Sequence, residues 1–255
     1  MATQQKQNRG TLKNYFKKGS LPSEKQFGNL IDSMLNIVDD GFEKTAKEGM
    51  KLFSMGDYEK LISFYRQIDV KSPVWSISIN QITENFEVKN KNEQTLLSID
   101  QEGQVGINKK RPEHTLDVNG VVGAKGRTGT FKQGTVPADG KWHTLLKNLD
   151  GCRAYEVIAG AGKKKEGKYA LVHSIVLSTF NSENRVSYNQ AYYNTKCNRI
   201  ELCWDGEQHN FALKMKTKCD YGENAYIQYN ISELWHDYYM DESDPMYRDK
   251  RNTNE

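Results

Sequence analysis

The chain has 255 residues and a formal net charge of +3; 36 % of its residues are hydrophobic, 27 % are charged, and the mean hydropathy is −0.81. That is polar for a compact globule of this length, so the chain either exposes much of itself or buries surface against other chains. No apolar run reaches the roughly 18 residues of a transmembrane helix, and the start, MATQQKQNRGTLKNYFKKGS, lacks the apolar core of a cleaved signal. The expectation is a protein made in a cytoplasm, with no membrane insertion, that leaves by another route if it leaves at all.

Residues 1–25 hold Lys6, Arg9, Lys13, Lys17, Lys18 and Lys25 against Glu24 alone. Such a basic end is either a solvated terminus or a dock for an acidic partner surface. Residues 20–48 then read as a helix. Phe27, Leu30, Ile31, Met34, Leu35 and Val38 recur at three- and four-residue steps, Ser23 and Gln26 fit a capping box, and Gly41 or Gly49 marks the end. The stripe has no evident helical partner in the chain, so it covers the next hairpin or meets another chain.

From Met50 to Ile68, MKLFSM and KLISFYRQI flank Gly56-Asp57, which suits a hairpin turn; a helix over residues 58–68 competes with this. Residues 72–135 form a string of short strands with sparse apolar residues: VWSISIN, FEVKN, TLLSID, QVGIN, TLDVNG and GTFKQG. Within it, Val105–Asn108 and Thr115–Asn119 make a thin ribbon, with Asn119-Gly120 as a turn that exploits positive φ at Gly120. Such a ribbon buries too little surface to be stable alone.

Residues 136–236 carry six longer strand-like runs, among them NRIELCWD, with Ile200, Leu202 and Trp204 on one face and Arg199, Glu201 and Cys203 on the other. One dry and one wet face per strand predicts an antiparallel β-sandwich. Residues 237–255 are acidic and read as a disordered tail. Cys152, Cys197, Cys203 and Cys219 show no Cys-x-x-Cys and no zinc spacing, so four reduced thiols are expected.

The stretch SIDQEGQVGINKKRPEHTLDVNGVV resembles a segment of tail fibres from phages and phage-tail-like particles. There a strand ending in Gly-x-Val-Gly-Ile-Gly leads through a Pro loop to Leu-Asp-Val-x-Gly. Gly103, Val105, Gly106, Ile107, Pro112, Leu116, Asp117, Val118 and Gly120 keep the pattern, while Asn108 and the basic loop depart from it. Residues from DGKWHTLLKNLDGCRAYEVIAGAGKKK onward resemble the terminal domain of fibre-like proteins from bacterial contractile injection systems. The resemblance implies a homotrimeric shaft whose sparse apolar positions, Val105, Ile107, Leu116 and Val118 with Gly120, meet about a threefold axis. The alternative is a β-meander lying on the C-terminal domain.

Catalytic patterns are not found. GKKKEGKY, Gly162 to Tyr169, approaches the phosphate-binding loop Gly-x4-Gly-Lys-Ser/Thr, but Tyr169 replaces the hydroxyl that would hold Mg²⁺ and a strand follows where a helix is required. It reads as a basic hairpin loop. His114, His143, His173, His209 and His236 have no metal spacing, and no acid pair stands out from the ordinary acidic content. The aromatic residues of the last domain suit glycan or protein-surface recognition, or are ordinary strand composition.

The resulting expectation is a mainly β protein without cofactor, nucleic-acid partner or catalysis. Residues 1–48 form a basic arm and attachment helix, 49–135 a trimeric shaft, 136–236 a recognition knob and 237–255 a tail. The attachment partner is another subunit, such as the baseplate, of a phage-tail-like particle released from a bacterium. The candidate recognition residues are Tyr188, Tyr192, Tyr193, Lys163, Lys164 and Lys165. The rival expectations are a baseplate or cage component whose C-terminal domain binds another subunit, and a fibre tip that cleaves glycans.

Overall fold

The computed structural model describes residues 7–36, 39–54, 58–67, 69–181 and 183–244. The chain is mainly β and divides into two compact units, 1–123 and 124–255. No helix among the described residues is long and apolar enough to cross a membrane.

The first unit opens with two short helices, α1 (Arg9–Tyr15) and α2 (Glu24–Asp32). Asn8 caps α1 by accepting from the Thr11 N–H at 2.9 Å, and the Gln26 side chain caps α2 by accepting from the Ser23 N–H at 2.8 Å. The Phe16 and Phe27 rings meet edge-on at 5.4 Å, so the stripe has a partner helix that the periodicity did not show. The long helix expected over 20–48 ends at Asp32, where the Ser33 hydroxyl donates back to the Asn29 carbonyl. Only Phe27, Leu30 and Ile31 of the stripe lie on it; Met34 and Leu35 follow it and are exposed, and Val38 falls outside the described residues.

β1 (Phe42–Thr45) pairs with β2 (Gly49–Leu52), which corrects the hairpin expected between residues 50–55 and 60–68. Gly49 takes φ +71° at that turn, so it starts a strand rather than ending a helix. The Gly56-Asp57 pair lies outside the described residues. β3 (Lys60–Phe64), β4 (Trp75–Ile79), β5 (Phe86–Asn90), β6 (Thr95–Ile99), β7 (Val105–Ile107) and β8 (Leu116–Val118) form one six-stranded sheet in sequence order. All neighbours are antiparallel except β7 and β8, which run parallel and so are not the simple ribbon expected from the sequence. Gly120 lies beyond β8, has no positive φ and faces open space, whereas Gly103 (φ +83°) makes the turn into β7.

The second unit contains β9 (Lys132–Pro137), β10 (His143–Leu149), β11 (Cys152–Lys163), β12 (Lys168–Thr179), β13 (Arg185–Tyr192), β14 (Ile200–Glu207), β15 (Asn210–Thr217) and β16 (Tyr226–Glu233). They make a five-stranded antiparallel sheet ordered β13-β12-β11-β16-β9 and a three-stranded one ordered β10-β15-β14. β9, placed with the shaft by sequence, pairs with β16 here. Tyr155, Val157, Val172, Val176, Ile227 and Ile231 of the larger sheet share one hydrophobic core with Ile200, Leu202, Leu213 and Met215 of the smaller.

Two expectations about this unit are corrected. Cys197 and Cys219 form a disulfide: pairing of β14 with β15 brings them to a Cα–Cα distance of 5.2 Å, and only Cys152 and Cys203 are free. Residues 237–244 of the expected disordered tail are ordered. Asp237 accepts from the backbone N–H groups of Asp241 and Glu242, the Tyr239 hydroxyl donates to Asp150, and the Arg153 guanidinium stacks on the Tyr238 ring.

Candidate interaction surfaces

The six-stranded sheet is packed inside out. Its register assembles two apolar rows on one face: Ile62, Ile77, Val88, Leu97, Ile107 and Val118 in one, Ile79, Phe86, Ile99, Val105 and Leu116 in the other. None of these side chains is buried, and Leu116 is 62 % exposed. The opposite face carries Ser76, Ser78, Glu87, Lys89, Ser98 and Gly106, all buried. Apart from Pro73 and Pro112, every buried apolar side chain among the described residues belongs to the second unit.

The cover on the polar face is the loop between β7 and β8. Its Lys109 carbonyl lies directly on Gly106, where any Cβ would collide with that oxygen, and the Ser98 hydroxyl donates to the Lys110 carbonyl at 3.1 Å. Lys89 sits between Glu87 and Glu59, 2.8 Å from each. Burial works to lower the Lys89 pKa, but the hydrogen bonds to Glu59 and Glu87 outweigh it and hold the pKa raised; the Lys89 hydrogen bond holds Glu59 lowered. Lys109 and Asp117, 2.7 Å apart, clamp the loop to β8; their hydrogen bond holds the Asp117 carboxyl below its usual range. The shaft positions expected from sequence, Val105, Ile107, Leu116 and Val118, thus share one open apolar face, and Gly120 is not part of it.

The second surface is the tip of the β11–β12 hairpin. Twelve residues pair on each side, closing at Lys163 opposite Lys168, so the stretch that resembled a phosphate loop is a strand–turn–strand. Lys165 (φ +68°) and Gly167 (φ +64°) turn the chain. Glu166 pairs with Lys163 at 3.1 Å and with Lys168 at 3.7 Å. Lys164 and Lys165 are exposed and make no ion pair among the described residues.

At the base of the tip the Tyr169 and Tyr193 rings stand perpendicular, 6.3 Å apart, and the Tyr193 N–H donates to the Tyr169 carbonyl. Tyr169 lies over Gly162 and Tyr193 against Gly167, positions where the missing Cβ makes room for a ring. With Leu171, Ala191 and Tyr192 they line a shallow concavity of about 400 Å³.

The structure separates the three expected tyrosines. Tyr193 joins Lys163, Lys164 and Lys165 at the tip. Tyr192 faces the core side, with its hydroxyl accepting from Arg199 at 3.1 Å and its ring beneath that guanidinium. Tyr188 is a seam residue: its hydroxyl donates to the Leu202 carbonyl at 2.6 Å and accepts from the Leu202 N–H at 2.8 Å. Gln190 likewise accepts from the Ile200 N–H, so side chains of β13 satisfy the free edge of β14. Burial pushes the Tyr188 phenol up despite that hydrogen bond.

Tyr169 was not singled out from the sequence, because its place beside Tyr193 depends on the pairing of β12 with both β11 and β13. A second concavity of about 510 Å³ follows the seam, past Tyr188, Cys203 and Trp204. Burial raises the Cys203 and Cys152 thiol pKa values, which keeps both in the unreactive form. Among the described residues no three His, Cys, Asp or Glu side chains gather as a metal site.

No protein-family model and no curated protein matches the sequence. Among solved structures, the tailspike protein of Acinetobacter phage vB_ApiP_P1 superposes with a TM-score of 0.25 and 10 % identity, over 49 % of this chain and 26 % of the tailspike. The chain thus spans about a quarter of that protein's length, and a superposition of that quality carries no argument about fold or function.

Proposed function

We propose that this chain is a homotrimeric tail-fibre or adhesin-like structural protein of a phage-tail-like contractile injection particle. Residues 1–48 attach it to another subunit such as the baseplate, and the six-stranded unit supplies a short shaft. The second unit, a β-sandwich, recognises a cell-surface glycan or protein through its hairpin tip. The role is mechanical and adhesive, with no catalysis and no cofactor.

The observation that carries this reading is the inside-out sheet. A unit whose covered face is polar and whose two apolar rows are open has no apolar core of its own. Burial of apolar surface contributes roughly 25 cal/mol per Å², so three such faces meeting about an axis stabilise one another where a single face gains nothing. The fibre-like segment from Ser98 to Val122 ends on those rows. The exposed Phe27, Ile31, Met34 and Leu35 beside a basic N-terminus support attachment at that end.

The test is a pair of variants assayed against particles and target cells. Deletion of residues 1–48 is expected to abolish co-purification with assembled particles and to leave cell binding intact. Lys164→Glu with Lys165→Glu and Tyr193→Ala is expected to lower cell binding at least tenfold and to leave particle attachment intact. If the tip variant loses the particle while the truncation keeps it, the second unit is the dock, and the baseplate or cage component is the better account.

A further inference from the structure

We infer that the first unit carries a ligand pocket of its own, fitted to a saccharide that bears one carboxylate or phosphate group. The pocket, about 580 Å³, lies between two connections of the six-stranded sheet. The β4–β5 turn supplies Asn80, Ile82 and Thr83, and the β7–β8 loop supplies Lys109, Lys110, Arg111 and Glu113. The backbone of that loop covers the sheet, but covering it does not call for three consecutive cations.

Both walls are held in place. The Asn80 carbonyl accepts from the Glu84 N–H at 2.8 Å, and the Asn80 N–H donates to the Asn85 carbonyl at 2.9 Å, which closes the turn. The Asn85 amide donates to the Ser98 hydroxyl at 3.4 Å, and that hydroxyl donates to the Lys110 carbonyl. One chain of hydrogen bonds thus ties the turn to the loop.

The charges at the pocket do not balance. Lys109 matches both Glu113, at 3.4 Å, and Asp117, at 2.7 Å. Lys110 reaches Glu87 only at 3.8 Å, and Lys89 already holds the other oxygen of that carboxylate at 2.8 Å. Arg111 is exposed and makes no ion pair among the described residues. A guanidinium fork matches two oxygens of a carboxylate or a phosphate. Asn80, only 6 % exposed, adds a neutral anchor. Its Oδ1 accepts from the Ile82 N–H at 3.0 Å and the Thr83 N–H at 2.9 Å. That fixes the amide and leaves its Nδ2 without an acceptor among the described residues, a donor that a ligand satisfies.

The pocket therefore has a cationic end and a neutral wall beside Ile82, an aliphatic side chain that is 91 % exposed. A bare inorganic anion uses only the first. A charged sugar uses both, with its anionic group on Arg111 and Lys110, a hydroxyl on Asn80 and a C–H face on Ile82. The volume lies in the range of about 300–1,000 Å³ usual for small-ligand sites. No aromatic side chain lines it, so a nucleobase finds no stacking platform. The site belongs to the first unit of one chain and requires neither the trimer nor the hairpin tip.

The experiment titrates the full-length protein by ligand-observed NMR with methyl glucuronide and glucose 6-phosphate. Methyl glucoside, acetate and inorganic phosphate are the controls. At least one charged sugar is expected to bind at least tenfold more tightly than every control, and less tightly as salt is added. Arg111→Ala, alone or with Lys110→Ala, is expected to lower that affinity at least tenfold with the melting temperature unchanged. Asn80→Asp, which keeps the acceptor for the turn and loses the donor, is expected to lower it as well. The tip variant Lys164→Glu, Lys165→Glu, Tyr193→Ala is expected to bind as the wild type does. Binding of neither charged sugar overturns the inference, as does equal affinity for methyl glucoside. Acetate or phosphate bound as tightly as the sugars makes this a bare anion site and overturns it too. Binding that survives Arg111→Ala with Lys110→Ala but is lost in the tip variant overturns this site and leaves recognition at the tip standing.

Discussion

Gly106 shows how one residue decides which face of a sheet is open. Without a Cβ, it lets the Lys109 carbonyl sit on the strand, and the basic loop folds over the polar face. Gly106→Ala is expected to destabilise the first unit by about 1–3 kcal/mol, as an overpacked site does. Gly120→Ala, in open space at a φ that is not positive, is expected to stay within about 0.5 kcal/mol; thermal unfolding of both variants checks the contrast. Two core tyrosines make a second contrast. The Tyr221 hydroxyl donates to the Asn198 carbonyl at 2.7 Å, whereas the buried Tyr155 hydroxyl finds no hydrogen-bond partner of ordinary geometry. Tyr221→Phe should therefore lower stability by about 1 kcal/mol, and Tyr155→Phe should leave it unchanged or raise it. Burial pushes both phenols up to about 12. An unfolded phenol ionises near pH 10 while the folded one keeps its proton, so the stability of the second unit is full below about pH 10 and is lost as pH rises from there through about 12. A melting temperature that is flat across that window in the wild type contradicts the assignment.

Strand existence was legible because side-chain alternation is local: Ile200, Leu202 and Trp204 in β14 and Phe211, Leu213 and Met215 in β15 already announce their faces. Partnership was less legible because it is not local. The β7–β8 connection has a loop chemistry compatible with a hairpin, and nothing in VGINKKRPEHTLDV states that the strands run parallel. β2 pairs backward with β1 instead of forward, and the two short helices touch edge-on through Phe16 and Phe27, which both stay exposed. Tyr188 and Tyr193 look alike in SYNQAYYN; only the free edge of β14 makes one of them a seam residue. The disulfide escaped for the same reason, since Cys197 and Cys219 are brought together by the β14–β15 register across 22 residues of sequence. Cross-linking a loop of that length contributes about 3 kcal/mol by chain-entropy reasoning. Cys197→Ser is expected to shift the denaturant midpoint of the second unit down accordingly, with little effect from Cys203→Ser. Equal midpoints for Cys197→Ser and wild type would show that the bridge adds nothing to stability.

At the scale of the whole molecule, the two units answer composition in opposite ways. The second encloses its apolar residues between two sheets, and its hydrophobic core is complete within one chain. The first spends its few apolar residues on one face and leaves that face open. This was foreshadowed by the sparse alternation over 72–122, but the register was needed to show that the apolar positions line up as two continuous rows. Ile107→Asp with Val118→Asp places two charges on one of those rows. It should convert an assembled protein to single chains, because unpaired charges buried at an axis are strongly destabilising, while the core of the second unit, which contains neither residue, still unfolds cooperatively.

The mass of the full-length protein in solution, measured by light scattering at micromolar concentration, bears most directly on the account. A mass near three times 29.3 kDa is the expected result. A mass of one chain, with the amides of β4 to β8 still protected from hydrogen exchange, would show that the inside-out sheet stands without partners, and the fibre reading would fall.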